Sequence, residues 1–265
     1  MKKDEINMDA MLYLAAQYLA QAGNSFLEPR PDGSQATITF CKQNNCLQTQ
    51  PLTAAGDRFC LNYDFSLQWK KEHIKNKPFF LHGKTHKEVL QWIKNSAEQL
   101  RLGKPYQYLQ NKEFPYGPMT NDFQFLLLDK ARLAMLAQYR KAVREILDEI
   151  MEKYQINMEV AIWPQDFNTS AFALLNSKTD ITLSFGMTTP KPHIKNSSHH
   201  LFMTAWHGLE NVSTHNFPAL SVGKWSSEEN KGAVVSLQEV NKQEMINFFE
   251  ETIYIYKNQF YLDVG

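Results

Sequence analysis

Apolar residues recur every three or four positions in four stretches of the chain, and this spacing predicts four helices. The first covers residues 8–19, and the longest runs from about residue 122 to residue 154, or about 50 Å if unbroken. A third follows the capping-box sequence Thr85-x-x-Glu88, which places His86 in the first turn of a surface helix. The last begins near Asn241, again with a glutamate three residues later. We therefore expect one long central helix and several shorter ones.

Between these helices, short apolar or alternating stretches predict strands. Residues 58–69 alternate over their whole length, which predicts one strand with its aromatic and leucine side chains on one face. The connections between strands are short, which favours antiparallel pairing over βαβ units. The predicted fold class is therefore α+β with an antiparallel-rich sheet. The other predicted strands cover residues 36–40, 78–81, 158–163, 170–175, 181–185, 200–206 and 232–237.

Similar short sequences recur in the two halves in the same order, which suggests internal duplication of an α-β-β-β-α unit. "AQY" occurs at residues 16–18 and again at 137–139, and "ATITF" at 36–40 resembles "ITLSF" at 181–185. The Thr85 capping box is matched by Asn241-x-x-Glu244. The predicted organisation is one compact unit, residues 1–265, with two related halves, 1–118 and 119–265, if the duplication holds. A cleft between related halves would then be the natural ligand site.

The charge balance excludes one class of partner. The chain has 28 Lys and Arg residues and 28 Asp and Glu residues, so it has little counterion release to gain from nucleic-acid phosphates. No run of about 18 apolar residues predicts a membrane span. Acidic residues and glutamines interrupt the apolar stretch near the N-terminus, which is therefore not typical of a signal peptide. We expect a cytoplasmic protein with neither nucleic acid nor membrane as a partner.

The chain contains three cysteines, Cys41, Cys46 and Cys60. The first two flank Lys-Gln-Asn-Asn, a sequence typical of a hairpin tip, across which they would face each other. Because the count is odd and the expected compartment is reducing, we interpret the cysteines as reduced, partly buried thiols.

Four of the eight histidines are concentrated in the stretch "HIKNSSHHLFMTAWHG". Neighbouring side chains on a strand point to opposite faces, so His199 and His200 face apart, and His199 and His207 at its two ends lie roughly 26 Å apart. Neither HExxH nor CxxC is present, so no metal site is predicted from spacing. If the loops fold back, a metal-assisted hydrolase is the alternative, and its candidate residues are His193, His199, His200, His207 and Glu210.

Aromatic residues near predicted strand ends indicate a second kind of site. Trp163 and the following Pro164 form a rigid corner before Asp166. The leading hypothesis is a small-ligand-binding protein with an aromatic-lined cleft, because indole rings bind planar or sugar-like ligands while polar groups orient them. The alternative interpretation is ordinary core packing, and a homo-oligomeric interaction subunit is a third hypothesis. No GxSxG motif is present and no cofactor is assigned. The proposed ligand-binding residues are Trp163, Asp166, Trp206, His207 and Trp225.

The chain resembles an uncharacterised family of bacterial proteins. The resemblance covers most of the chain and is more specific after residue 150. Family members tend to have His-His-Phe-Asp after the Trp-Pro pair, whereas this chain has Gln165, Asp166, Phe167 and Asn168. The family's function is not established, so the resemblance implies no reaction and only marks the aromatic corner and the glycines as shared features. The matching stretches are "YLAAQYLAQAG" (13–23), "IWPQDFN" (162–168), the glycine of "ITLSFGM" (181–187), Trp206, "FPALSVGKW" (217–225) and "GAVV" (232–235).

Overall fold

The computed structural model of the chain describes residues 7–71, 77–109, 115–176, 180–191, 197–227 and 231–262. The chain divides into two compact units. The first contains the chain up to Lys141 together with Ile162–Phe167. The second contains Ala142–Ala161, Asn168–Lys191 and the described residues that follow. The boundary expected after residue 118 therefore falls inside the first unit.

Four helices lie at positions close to those predicted. They are α1 (Met8–Phe26), α2 (His86–Gln99), α3 (Lys130–Lys153) and α4 (Lys242–Leu262). Both capping boxes form. The Thr85 hydroxyl accepts from the backbone amide of Glu88 at 3.2 Å, and the side-chain oxygen Oδ1 of Asn241 accepts from the backbone amide of Glu244 at 3.1 Å. No helix among the described residues is long and apolar enough to cross a membrane.

The longest helix begins at Lys130, eight residues later than predicted. The residues before it are held in an extended conformation because their backbone pairs with the segment that precedes α2. The Gly83 amide donates to the Phe125 carbonyl at 2.8 Å, and the His86 amide donates to the Phe123 carbonyl at 2.8 Å. The Asp129 carboxylate then caps the new helix by accepting from the Arg132 amide at 2.9 Å.

The first unit contains an antiparallel sheet in which successive strands are neighbours. Residues 58–69, predicted as one strand, form a hairpin instead, with Phe65 at φ +65° in its three-residue loop. Leu61 pairs with Leu67 and Phe59 with Trp69, so apolar side chains occupy the same face on both strands. The alternation of apolar and polar residues therefore continues through the turn, and the sequence pattern does not reveal the turn. The strands are β1 (Ile38–Cys41), β2 (Cys46–Thr49), β3 (Arg58–Asn62), β4 (Ser66–Lys70) and β5 (Phe79–Phe80), and Ile162 of β6 (Ala161–Ile162) pairs with Ile38.

Helix α1 is buried on every face, whereas its sequence pattern predicts a single apolar stripe. Even Gln17 is completely buried, and its side-chain amide is compensated there because it donates a hydrogen bond to the Pro164 carbonyl at 2.9 Å. His86 is 1% exposed, so its predicted place on a helix surface is wrong although its place in the first turn is correct. Gly23 lets the backbone of Gln35 and Ala36 approach α1 closely, which hydrophobic periodicity does not reveal.

The strands of the second unit are also antiparallel, and helix α4 packs on one face of them. Phe185 of the sheet contacts Phe249 of α4, with ring centroids 6.1 Å apart. The strand order is β11-β12-β9-β8-β7, and β10 pairs with β9. The strands are β7 (Thr169–Asn176), β8 (Ile181–Thr188), β9 (His200–His207), β10 (Glu210–Asn211), β11 (Lys224–Ser226) and β12 (Gly232–Ser236). The predicted class, α+β with a large antiparallel component, is confirmed.

Removing either helix cap is expected to destabilise the protein modestly. We expect Thr85→Ala and Asn241→Ala each to lower the free energy of unfolding by about 1 kcal/mol. The backbone amides of Glu88 and Glu244 have no acceptor within their helices, and each variant removes the side-chain oxygen that accepts from one of them. Urea unfolding measures this effect. Lys87→Ala, an exposed change in the first turn of α2, is the control and should change the free energy by less than about 0.5 kcal/mol. Equal values for all three variants would contradict the capping roles.

Candidate functional site

The Trp163–Phe167 corner is held in the first unit by side chains of α1 and α3. The Tyr13 hydroxyl donates to the Gln165 carbonyl at 3.1 Å, and Arg140 donates to the Phe167 carbonyl at 2.8 Å. The Arg140 guanidinium also lies 4.3 Å from the centre of the Phe167 ring. Trp163 is half-buried and Asp166 is exposed. Because a buried guanidinium needs acceptors, this corner has a clear structural role.

Within the second unit, Trp206 and Trp225 lie on opposite faces of the sheet. Trp225 pairs with Ala233, which pairs with Met203, so all three side chains share one face. Trp206 is three residues beyond Met203 on β9, and its side chain therefore points the other way. The prediction that these two indoles line one cleft is wrong, because the strand register separates them. Trp206 is 38% exposed, and its indole N–H donates to the Thr204 hydroxyl at 3.1 Å.

The histidine candidates occupy separate positions. His199 is buried before β9, and the His200 ring contacts the Ser198 carbonyl through Nδ1 at 2.8 Å. His207 is exposed at the end of β9, where it pairs with Glu210 across the turn. His193 lies outside the described residues. Within the described ranges, no group of three His, Cys, Asp or Glu side chains is placed to hold a metal ion.

Trp225 lines a cavity of about 520 Å³ in the second unit. Phe217 forms part of the same wall, and its ring meets the indole edge-on with centroids 5.1 Å apart. The indole N–H donates to the Pro218 carbonyl at 2.7 Å, which fixes the ring. The rest of the lining is mostly polar and includes His215 and Lys231. His207 does not line this cavity, so of the predicted ligand-binding residues Trp225 is the one found here.

The first unit contains a larger cavity, about 750 Å³, that no sequence motif indicated. Two hairpin turns form one side of it: residues 42–45 between β1 and β2, and the turn between β3 and β4. Ala134, Ala137, Gln138 and Lys141 of α3 form another side. Both turns are shaped by residues at positive φ, Asn45 at +46° and Phe65 at +65°.

The lining of this larger cavity, which we call the hairpin cavity, is strongly polar. Five of its lining residues carry side-chain amides: Asn44, Asn45, Asn62, Gln68 and Gln138. Lys42 and Lys141 supply two positive charges, against one negative charge from Asp64. The Asp64 carboxylate already accepts from the Ser66 hydroxyl at 2.5 Å. Such a lining offers amide donors and acceptors together with a net positive charge.

The polar face of the same sheet carries all three cysteines. Cys41 and Cys46 are directly opposed across β1 and β2, as predicted, and both are free thiols. Cys60 pairs with Gln48 and Gln68 on the same face. The Lys70 ammonium nitrogen lies 3.3 Å from the Cys46 sulfur. Cys46 and Cys60 are completely buried, whereas Cys41 is partly exposed.

Sequence reasoning missed the hairpin cavity because its residues come from two turns and a helix far apart in the chain. The nearest signal is the Lys-Gln-Asn-Asn turn, which by itself indicates only that the flanking cysteines face each other. The chain matches no protein-family model, no curated protein and no solved structure. The resemblance to an uncharacterised bacterial family therefore stays a prediction.

Proposed function

We propose that this protein binds a small, polar, negatively charged ligand in the hairpin cavity. The observation that carries the proposal is a cavity of about 750 Å³ lined by five amide side chains and two lysines against one aspartate. Its volume is within the usual range for small-molecule sites, about 300–1,000 Å³. Carboxylate- or phosphate-bearing metabolites have the matching chemistry.

The charges in the cavity support an anionic ligand. Lys42 lies in the β1–β2 turn and Lys141 on α3, so the two ammonium groups reach the cavity from different elements. Like charges lining a concave surface raise the local concentration of an oppositely charged ligand. The amides of Asn44, Asn45 and Gln138 donate and accept hydrogen bonds, which would orient the neutral part of the ligand.

The cavity beside Trp225 is a second candidate and fits a different ligand. Its wall of Phe217 and Trp225 offers an apolar surface, and serine, threonine and asparagine side chains surround it. This combination suits a ligand with a flat apolar face and hydroxyl groups, such as a sugar. This candidate keeps Trp225 from the original aromatic-cleft hypothesis and does not require Trp163 or Trp206.

Two variants distinguish the two cavities. Titration calorimetry at low salt with citrate and glucose 6-phosphate tests the hairpin cavity, and Lys141→Gln should weaken binding about tenfold through loss of one charged contact. Lys130→Gln is the matched control on the same helix, outside the cavity, and should leave the affinity unchanged. Trp225→Ala should also leave anion binding unchanged and should abolish binding of neutral sugars such as glucose. Raising the salt to about 0.5 M should weaken anion binding.

The proposal fails if no carboxylate or phosphate in a broad panel binds, or if Lys141→Gln and Lys130→Gln bind anions equally well. Binding that is lost in Trp225→Ala and retained in Lys141→Gln would assign the ligand to the second cavity instead.

The arrangement of elements also supports the proposed internal duplication. In chain order, each half has a helix, a run of antiparallel strands and a helix that begins with a capping box. "AQY" lies within α1 and again within α3, and "ATITF" and "ITLSF" overlap β1 and β8.

A further inference from the structure

Cys41 and Cys46 have the backbone geometry of a disulfide pair. They are direct partners in the antiparallel ladder, where opposed Cα atoms lie about 4.5–5.5 Å apart. A disulfide requires a Cα separation of about 4.4–6.8 Å, so these two residues can be bridged without moving the strands. Cys60 is diagonal to Cys46, since Asn62 is the direct partner of Cys46. Diagonal positions are about 7–8 Å apart, which is too far for a relaxed bridge.

The surroundings of Cys46 favour a thiolate. The Cys60 thiol, followed by the charge of Lys70 at 3.3 Å, lowers the pKa of Cys46 although burial opposes this. The hydrogen bond to Cys46, together with burial, raises the pKa of Cys60, which therefore stays protonated. Thiolates are the nucleophiles in disulfide exchange. Cys46 is therefore suited to act as a thiolate nucleophile within the pair.

The two sulfurs differ in access to solvent. Cys41 is partly exposed, and its sulfur accepts from the Asn44 side-chain amide at 3.3 Å. Cys46 is completely buried. A small disulfide in solution can therefore reach Cys41 directly, and Cys46 needs to reach only the neighbouring Cys41 sulfur.

From this geometry we infer that Cys41 and Cys46 form a reversible dithiol site that takes a low-molecular-weight disulfide of the glutathione class as oxidant. The site goes beyond the proposed ligand binding and does not depend on it.

The exchange takes place in two balanced steps. In the first, Cys41 loses its proton and its sulfur attacks one sulfur of the small disulfide; a protein–small-molecule S–S bond forms and one small thiolate leaves and is protonated. In the second, the Cys46 thiolate attacks the Cys41 sulfur, and the second small thiolate leaves and takes a proton. Two protein thiols are oxidised to one disulfide, and one small disulfide is reduced to two thiols. Lys70 acts as a positioning residue that, after the Cys60 thiol, favours the thiolate of Cys46.

The test is oxidation of the 265-residue chain with oxidised glutathione in the absence of oxygen. We expect the number of titratable thiols in the denatured protein to fall from three to one, peptide mapping to show a Cys41–Cys46 bond, and dithiothreitol to reverse it. Cys60→Ser should still form this bond. Cys46→Ser should stop at a mixed disulfide on Cys41, and Cys41→Ser should retain both of its thiols.

The pH profile tests the role of Lys70 separately from folding. In the wild type, the rate of the second step should level off at a lower pH than an ordinary thiol would give, because the Cys60 thiol and the Lys70 charge lower the pKa of Cys46. In Lys70→Met the plateau should move upward by at least one pH unit, while the first step keeps its rate. A Cys46–Cys60 bond, a mixed disulfide that persists in the wild type, or no loss of thiols would each overturn the inference. An unchanged pH profile in Lys70→Met would overturn the role of Lys70.

Discussion

Gly186→Ala is expected to lower the free energy of unfolding by about 3 kcal/mol or more. Gly186 lies in β8 opposite Ser170 of β7. A Cβ atom added there would be 1.9 Å from the Thr169 carbonyl oxygen and 2.8 Å from the Ser170 Cα. Both contacts are with backbone of the neighbouring strand, so relief requires moving the strand rather than a side chain. Thermal unfolding measures this, with a fall in Tm of roughly 6–12 °C.

Ser184→Ala is the matched control for this change. Ser184 lies two residues from Gly186 on the same strand and the same face. Unlike Gly186, it already carries a Cβ atom, so the change to alanine adds no atom next to the neighbouring strand. We expect a change in Tm of no more than about 2 °C from this variant. Similar stabilities for Gly186→Ala and Ser184→Ala would show that the two strands do not approach each other as closely as described.

His86 is expected to make the protein sensitive to acid. His86 is 1% exposed, and its Nδ1 lies 2.6 Å from the Tyr18 hydroxyl oxygen. In a neutral ring, Nδ1 can accept a hydrogen bond from this hydroxyl. The Tyr18 and Tyr108 rings lie against it, with centroids 5.7 and 4.9 Å away. Burial lowers the pKa of His86 from 6.5 to about 4. The folded state therefore strongly prefers the neutral ring.

The direction of the pH effect follows from this preference. The unfolded chain takes up a proton near pH 6.5, whereas the folded protein does so only near pH 4. The stabilisation is complete above pH 6.5 and is lost as the pH falls towards 4. Since one pKa unit corresponds to about 1.4 kcal/mol, the loss amounts to about 3 kcal/mol.

Urea unfolding of wild type and His86→Gln between pH 7.5 and 4 isolates this contribution. Glutamine accepts from the Tyr18 hydroxyl without titrating, so the difference in unfolding free energy between the two proteins should change by about 3 kcal/mol over this range. His215→Gln, an exposed histidine, should run parallel to the wild type. A constant difference between wild type and His86→Gln would rule out His86 as the source of acid sensitivity.

Local signals in the sequence predicted most of the helix starts but not the candidate site. Thr85 with Glu88 and Asn241 with Glu244 marked helix starts, because a capping box is a contact between residues three apart. The register that separates Trp206 from Trp225 depends on which strand lies beside β9, and that neighbour, β12, is distant in the chain. The hairpin cavity likewise combines the Lys42 turn with Lys141, about a hundred residues later.

The sequence by itself determined the α+β class, the approximate positions of the helices and the opposition of Cys41 and Cys46, because periodicity, capping and short turns act over a few residues. Only the tertiary structure decided that α1 is buried on all sides, that residues 58–69 fold back as a hairpin, and that His86 lies against Tyr18. Those outcomes depend on backbone pairing and desolvation between segments far apart in the chain, for which a single sequence carries no local pattern.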